Sequence, residues 1–312
     1  EICREWNVAS FRSVCQRAKS HDESKVYDRG MAIMRTLNLL YEKSNSLRIP
    51  YENLIAGCAM EIVIENLFKV KKKVGFEICN GWEFNIAAYQ RFRGNQVIVC
   101  SYLAHRNEVG QYLEDCFQDT IVSMKEFRNL EEKKLQVADL IVQLDELQIA
   151  VQLLIREKDK KKEAGDMMSL PSILDNQKKI NYVSAKREVQ IADLIEEMVY
   201  YVDFIPDMNS YYRLYQIIHR EMIEGRKVVE FLQKNKTKSF ISKEREHAFF
   251  EEEWSTERKE KWSLFLKKMQ IEGPKFEEMF QTVKKFMGPL WESVQKDEIF
   301  FGDWMPEPER YL

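Results

Sequence analysis

Apolar positions recur every three or four residues over much of the chain, the spacing that aligns side chains along one face of a helix. Val8, Phe11, Val14, Cys15 and Ala18 follow it, as do Ile33, Met34, Leu37, Leu40 and Tyr41. After Pro50, a residue suited to a first helical position, the same spacing continues to Phe68. It then meets Lys71, Lys72, Lys73 and Gly75, a basic helix end followed by a stop. The pattern changes at Phe76. "FEICNGWEFNI" alternates on either side of Asn80-Gly81, and "RFRGNQVIVCSYL" adds Gly94-Asn95 and a β-prone run, so a small β meander is predicted near residues 76–103. A short helix within "EFNIAAYQRF" is the competing reading of the same stretch.

Beyond Asn107 there is no proline until Pro171, and after Gly110 no glycine until Gly165. Leu130, Val137, Leu140, Leu144, Leu147, Val151 and Leu154 alternate steps of three and four, interrupted by Lys133, and Val142, Ile149, Leu153 and Ile155 widen the stripe. Long helix is the expectation. A break between Gly165 and Pro171 would fold two such rods together, giving a long αα-hairpin of about 111–163 and 172–204. The hexad "QVADLI" at Gln136–Ile141 recurs as "QIADLI" at Gln190–Ile195, with no similarity on either side. In a chain reversing near residue 165 the two hexads would meet. Ala138 and Ala192 would then permit close approach, with Leu140, Leu144, Ile191 and Leu194 filling the flanks.

The predicted class is therefore mainly α: an elongated antiparallel helical bundle with a possible small β meander. Its organisation would be an N-terminal helical region with the β insertion at 1–106 and a long-helix bundle at 107–312. Helices are also predicted through "SKEREHAFFEEEWSTERKEKWSLFLKKMQIEG" and through "KFEEMFQTVKKFM", the latter ending at Gly288-Pro289. The acidic tail would cross the bundle as a strap held by Phe300, Phe301 and Trp304.

Composition narrows the partners. A 45% apolar content in 312 residues supports a folded core, and a net charge of −3 gives no overall attraction to nucleic acid or anionic membrane. No apolar run reaches the roughly 20 residues of a membrane span. The six cysteines are widely spaced and form no C-x-x-C, which favours reduced thiols in the cytoplasm, with the nucleus as an alternative.

Chemical motifs are sparse. "EREH", Glu244 to His247, is a single E-x-x-H where a di-metal bundle needs two. Phosphate-binding glycine loops are absent, and no nucleophile, base and orienting group are visibly paired, so no catalytic, cofactor-binding or metal residue is assigned and no cofactor is expected. Three basic clusters remain, represented by Lys71, Lys72 and Lys73, by Lys160, Lys161 and Lys162, and by Lys234, Lys236, Lys238 and Lys243. Aligned, they would suit a membrane surface or nucleic acid. The leading functional expectation is a non-catalytic protein–protein interaction module: a scaffold, adaptor or regulatory subunit with protein partners or self-association. The alternatives are the basic-patch module and an enzyme assembled from distant residues.

Overall fold

The computed structural model of the chain describes residues 36–69, 75–84, 86–90, 95–102, 106–118, 120–130, 135–157, 165–200, 208–235, 256–269 and 271–312. Helices α1 (Thr36–Leu47) and α2 (Tyr51–Lys69) precede β1 (Phe76–Ile78). A 3-10 turn at Gly81–Glu83 and the short α3 (Ile86–Tyr89) lead to β2 (Gln96–Ser101) and α4 (Arg106–Phe117). Three long strands follow: β3 (Val122–Leu130), β4 (Leu135–Leu144) and β5 (Leu147–Glu157). Then come β6 (Asp166–Pro171), β7 (Lys179–Ser184) and α5 (Arg187–Tyr200). The C-terminal part contains α6 (Met208–Ile218), β8 (Ile223–Glu224), α7 (Gly225–Asn235), α8 (Thr256–Met269), α9 (Phe276–Lys296), β9 (Asp303–Met305) and β10 (Arg310–Tyr311).

The seven strands β1–β7 form one mixed sheet in the order β3-β4-β5-β2-β1-β7-β6, which overturns the expected mainly helical bundle with at most a small β meander. The supposed heptad seam is a ladder instead. Leu144 pairs with Leu147, Leu140 with Val151, and Val137 with Leu154, so residues read as one helical stripe are rungs of the antiparallel β4–β5 hairpin. Alternation is blurred in β4 because Val137 and Ile141 are apolar on the face opposite buried Ala138, Leu140, Val142 and Leu144. Asp145 supplies the tight turn that glycine usually provides, with φ at 50°, a left-handed conformation that Asp tolerates better than most residues. Its carboxylate Oδ2 also accepts a hydrogen bond from Leu37 N in the first turn of α1, at 2.8 Å.

The predicted αα-hairpin is therefore absent. Ala138 lies opposite Leu153 within the sheet, and Ala192 lies buried in α5, so the hexads adopt different secondary structures. The segment from Gly165 to Pro171 is not a break between rods. From Asp166 to Pro171 it is β6 itself, which pairs antiparallel with β7. The strands expected near 76–103 belong to this large sheet rather than to a meander of their own. Asn80-Gly81 enters the 3-10 turn, and β1 pairs antiparallel with β2 across the intervening α3.

Helices α2 and α4 cover one face of the sheet, where Phe76 meets Tyr112 edge-on at 5.2 Å between ring centroids. Buried Glu61 ties α2 to the segment after β6, since Ile173 N donates to both carboxylate oxygens at 3.0 and 2.9 Å. Burial pushes the Glu61 carboxyl up to about 7, against the opposing pull of the Ile173 and Ser172 hydrogen bonds and of Lys178 and Lys43. On the opposite face α5 packs over part of the sheet. Its other side joins α6, α7, α8 and α9 in a helical core containing Tyr211, Phe280, Phe286, Leu290 and Trp304. Helix α9 continues through Gly288 and Pro289 to Lys296, past the expected stop. In the tail, Trp304 is buried and its Nε1 donates to Ile218 O at 2.7 Å, whereas Phe301 is exposed. The helical core is pinned to the sheet side by Arg213 of α6, which forms a buried ion pair with Glu83 of the 3-10 turn. No described helix is long and apolar enough to cross a membrane.

Candidate functional site

Side chains alternate across a sheet, so the register fixes which residues share the face opposite α2 and α4. On that face β3 places Glu126 and Arg128, and β4 places Asp139. Strand β5 presents Gln152, Leu154 and Arg156; β2 presents Gln96, Ile98 and Cys100; β1 presents Glu77. The face divides into an open half and a closed half.

The open half carries a polar row across four strands. Gln96 Nε2 donates to Gln152 Oε1 at 3.2 Å, Gln152 Nε2 donates to Asp139 Oδ1 at 3.0 Å, and Arg128 donates to Asp139 Oδ2 at 2.5 Å. Glu126 lies 3.6 Å from Arg128 Nε and directly opposite Asp139 in the register. About a third of each of the Asp139 and Arg128 side chains is exposed, at 35% and 38%. This row offers a carboxylate able to take a proton, a guanidinium able to hold an anion, and two amides able to read hydrogen-bonding edges.

The closed half lies beneath α5. Cys79 and Cys100 face each other with 2.9 Å between sulfurs, and Cys100 Sγ is 3.6 Å from Asp193 Oδ2. Arg156 reaches Glu197 at 2.6 Å and Asp193 at 3.9 Å. Burial alone would weaken the hold of Arg156 on its proton, but the Glu197 and Asp193 carboxylates outweigh it and raise its pKa above the ordinary value. Ile98, Ala185, Leu154 and Val189 enclose the cysteines. Glu77 accepts a hydrogen bond from Gly165 N at 2.8 Å and one from Tyr102 Oη at 3.3 Å.

Neither half was assigned from the sequence. The residues expected to pack the hairpin, Ala138, Leu140, Leu144, Ile191, Ala192 and Leu194, are all buried, but the first three belong to β4 and the last three to α5. Of the basic clusters only Lys234 lies within the described residues, at the end of α7 beside Glu230 and Phe231. Lys71, Lys72, Lys73, Lys160, Lys161, Lys162, Lys236, Lys238, Lys243 and the Glu244–His247 motif lie outside them. The aspartates of the two hexads are the signal that could have led here: Asp139 anchors the open row and Asp193 the closed cluster.

No protein-family model matches the chain, and no curated protein matches its sequence. Among solved structures it is similar to MenT4, a nucleotidyltransferase toxin from Mycobacterium tuberculosis, with a TM-score of 0.57 at 10% identity over 84% of this chain and 92% of that one. It also matches JHP933 from Helicobacter pylori, with a TM-score of 0.42 at 8% identity over 80% of this chain and 96% of that one. The likeness to MenT4 is one of fold, and together with the seven-stranded sheet it replaces the expected bundle with an α/β architecture. The non-catalytic adaptor reading rests on that bundle and falls with it.

Proposed function

We propose that the chain is an enzyme of nucleotidyl transfer working at the open row of the sheet. The observation that carries this reading is the fold likeness to MenT4 over most of both chains. The polar row of Gln96, Gln152, Asp139 and Arg128 supports it by providing an exposed place for the chemistry. An acceptor oxygen would form its bond to the α-phosphorus of a nucleoside triphosphate while the bond to the β-phosphate oxygen breaks and pyrophosphate leaves. Asp139 would take the acceptor's proton. Arg128 would hold that carboxylate in place.

Phosphoryl-transfer enzymes commonly rely on divalent cations held by carboxylates. Here the described residues do not fit such a pair, because the Arg128 guanidinium engages both Glu126 and Asp139. No step is routed through a metal.

A reducing cellular compartment accords with the unbridged thiols of Cys58, Cys79, Cys100 and Cys116, and we place the chain in the cytoplasm on that basis. The test is incubation of the purified chain with each α-labelled nucleoside triphosphate and with RNA or protein acceptors. Label transfer is expected, and Asp139→Asn should lower it by roughly 10²- to 10⁴-fold, the usual worth of a positioned base. Absence of transfer to every acceptor, together with absence of triphosphate binding in calorimetry, overturns the reading.

A further inference from the structure

We infer that Cys79, Cys100 and Asp193 form a binding site for a soft divalent cation, zinc foremost, buried between the sheet and α5. This goes beyond nucleotidyl transfer and does not depend on it. Among the described residues, these three bring their ligand atoms within 4.8 Å of one another, and all three are buried. They converge from distant parts of the chain: Cys79 follows β1, Cys100 lies on β2, and Asp193 lies on α5, 93 residues beyond Cys100. Two sulfurs and one carboxylate oxygen are a donor set that suits zinc, since thiolates select soft and borderline ions over magnesium or calcium. Three protein ligands leave a fourth tetrahedral position for water.

The geometry needs only a small adjustment. Zinc–sulfur bonds of about 2.3 Å at tetrahedral angles place two sulfurs roughly 3.8 Å apart. The Cys79 and Cys100 sulfurs stand at 2.9 Å, so they would part by about 0.9 Å. Opening them also relieves a contact shorter than two unbonded sulfurs prefer.

Electrostatics permits the ion despite the neighbouring guanidinium. Thiols must lose their protons to bind metal, so a dication replaces two protons and the charge of the buried cluster does not change. Arg156 stays balanced by Glu197 at 2.6 Å, and its longer 3.9 Å approach to Asp193 makes it an outer partner that orients the carboxylate. Ile98, Leu154, Ala185 and Val189 supply a dry wall that strengthens each metal–ligand contact.

The experiment uses the full chain, expressed with added zinc and purified under reductant without chelator. Elemental analysis should find about one zinc per chain. After removal of zinc, cobalt(II) should produce the intense thiolate-to-metal charge-transfer absorption in the near ultraviolet. Cys79→Ser/Cys100→Ser should lose both signals, Cys58→Ser should keep both, and Asp193→Asn should weaken cobalt binding at least about tenfold. Each single serine variant serves if the double variant does not fold. The inference is overturned if the folded wild-type chain shows neither zinc nor the cobalt band. It is equally overturned if the serine variants bind as wild type does, or if a Cys79–Cys100 disulfide is found in chain purified under reductant.

Discussion

Replacing Arg213 with Met should expose the cost of burying Glu83. The pair links α6 to the 3-10 turn, with Nε to Oε1 at 2.5 Å and Nη2 to Oε2 at 3.4 Å, while Asn80 Nδ2 donates to Oε2 at 2.9 Å. The Glu83 side chain is fully buried and that of Arg213 is 6% exposed. Burial already pushes the Glu83 carboxyl up, opposed by the Arg213 charge and by the Asn80 and Arg213 hydrogen bonds. Without the guanidinium only Asn80 opposes it, and the group would take a proton rather than remain charged. Protonating a carboxyl of ordinary pKa about 4.3 at pH 7 costs about 3.7 kcal/mol, which caps the electrostatic loss and falls within the roughly 3–5 kcal/mol typical of breaking a buried pair. A carboxyl raised in the folded state contributes stability below its unfolded pKa and loses it as pH rises. The deficit of Arg213→Met should thus grow between pH 5 and pH 7, by no more than about 1.4 kcal/mol per pH unit and to no more than about 4 kcal/mol at pH 7. Urea unfolding followed by tryptophan fluorescence at several pH values measures this directly. Glu83→Gln/Arg213→Met should show no such slope. A deficit under about 1 kcal/mol at pH 7, or one equal at pH 5 and 7, would refute a buried, mutually dependent pair.

Further outcomes follow from other parts of the sheet. Glu61, raised from 4.5 to about 7 by burial, should cost the wild type on the order of 3 kcal/mol of stability as pH rises through that window; Glu61→Gln should remove this component in paired unfolding curves at pH 4.5 and 7.5. Gly165→Ala would bring a Cβ to 2.3 Å from Ser184 O and 2.9 Å from Glu77 Cδ. The backbone would have to yield there, and thermal unfolding should register a loss of about 1–3 kcal/mol. Val137→Ile makes the two hexads identical in sequence, yet amide exchange should still show strand protection at 136–141 and helix protection at 190–195, with a stability change below about 1.5 kcal/mol.

Where local chemistry acts alone, the chain is readable from its residues. Helix α2 begins after Pro50 and ends at Lys69, as proline, apolar spacing and a basic last turn require. Strands β3 to β5 are not readable in this way. Apolar residues on their second face, Val137 and Ile141 in β4 and Leu154 in β5, blur in the sequence the alternation that burial follows, and the turn at Asp145 and Glu146 contains neither glycine nor proline. Tertiary context then decides between helix and strand for the same hexad. The site was hidden for a related reason. Gln96 meets Gln152 only because β2 and β5 run side by side, and Cys79 meets Cys100 through the β1–β2 register rather than through any short motif. Pairing, not spacing, assembles both clusters.

The strand order also governs how the molecule comes into being. The β3–β4–β5 meander joins near neighbours and can form early, but β2 must wait for β5, with Gln96 and Gln152 separated by 56 residues. Strand β1 meets β7 still later, across the 106 residues between Ile78 and Ser184. Closing such distant partners makes assembly slow. During synthesis, the flank of β1 that β7 will occupy therefore stays open until Ser184 has left the ribosome, the interval in which a chaperone would have most to protect.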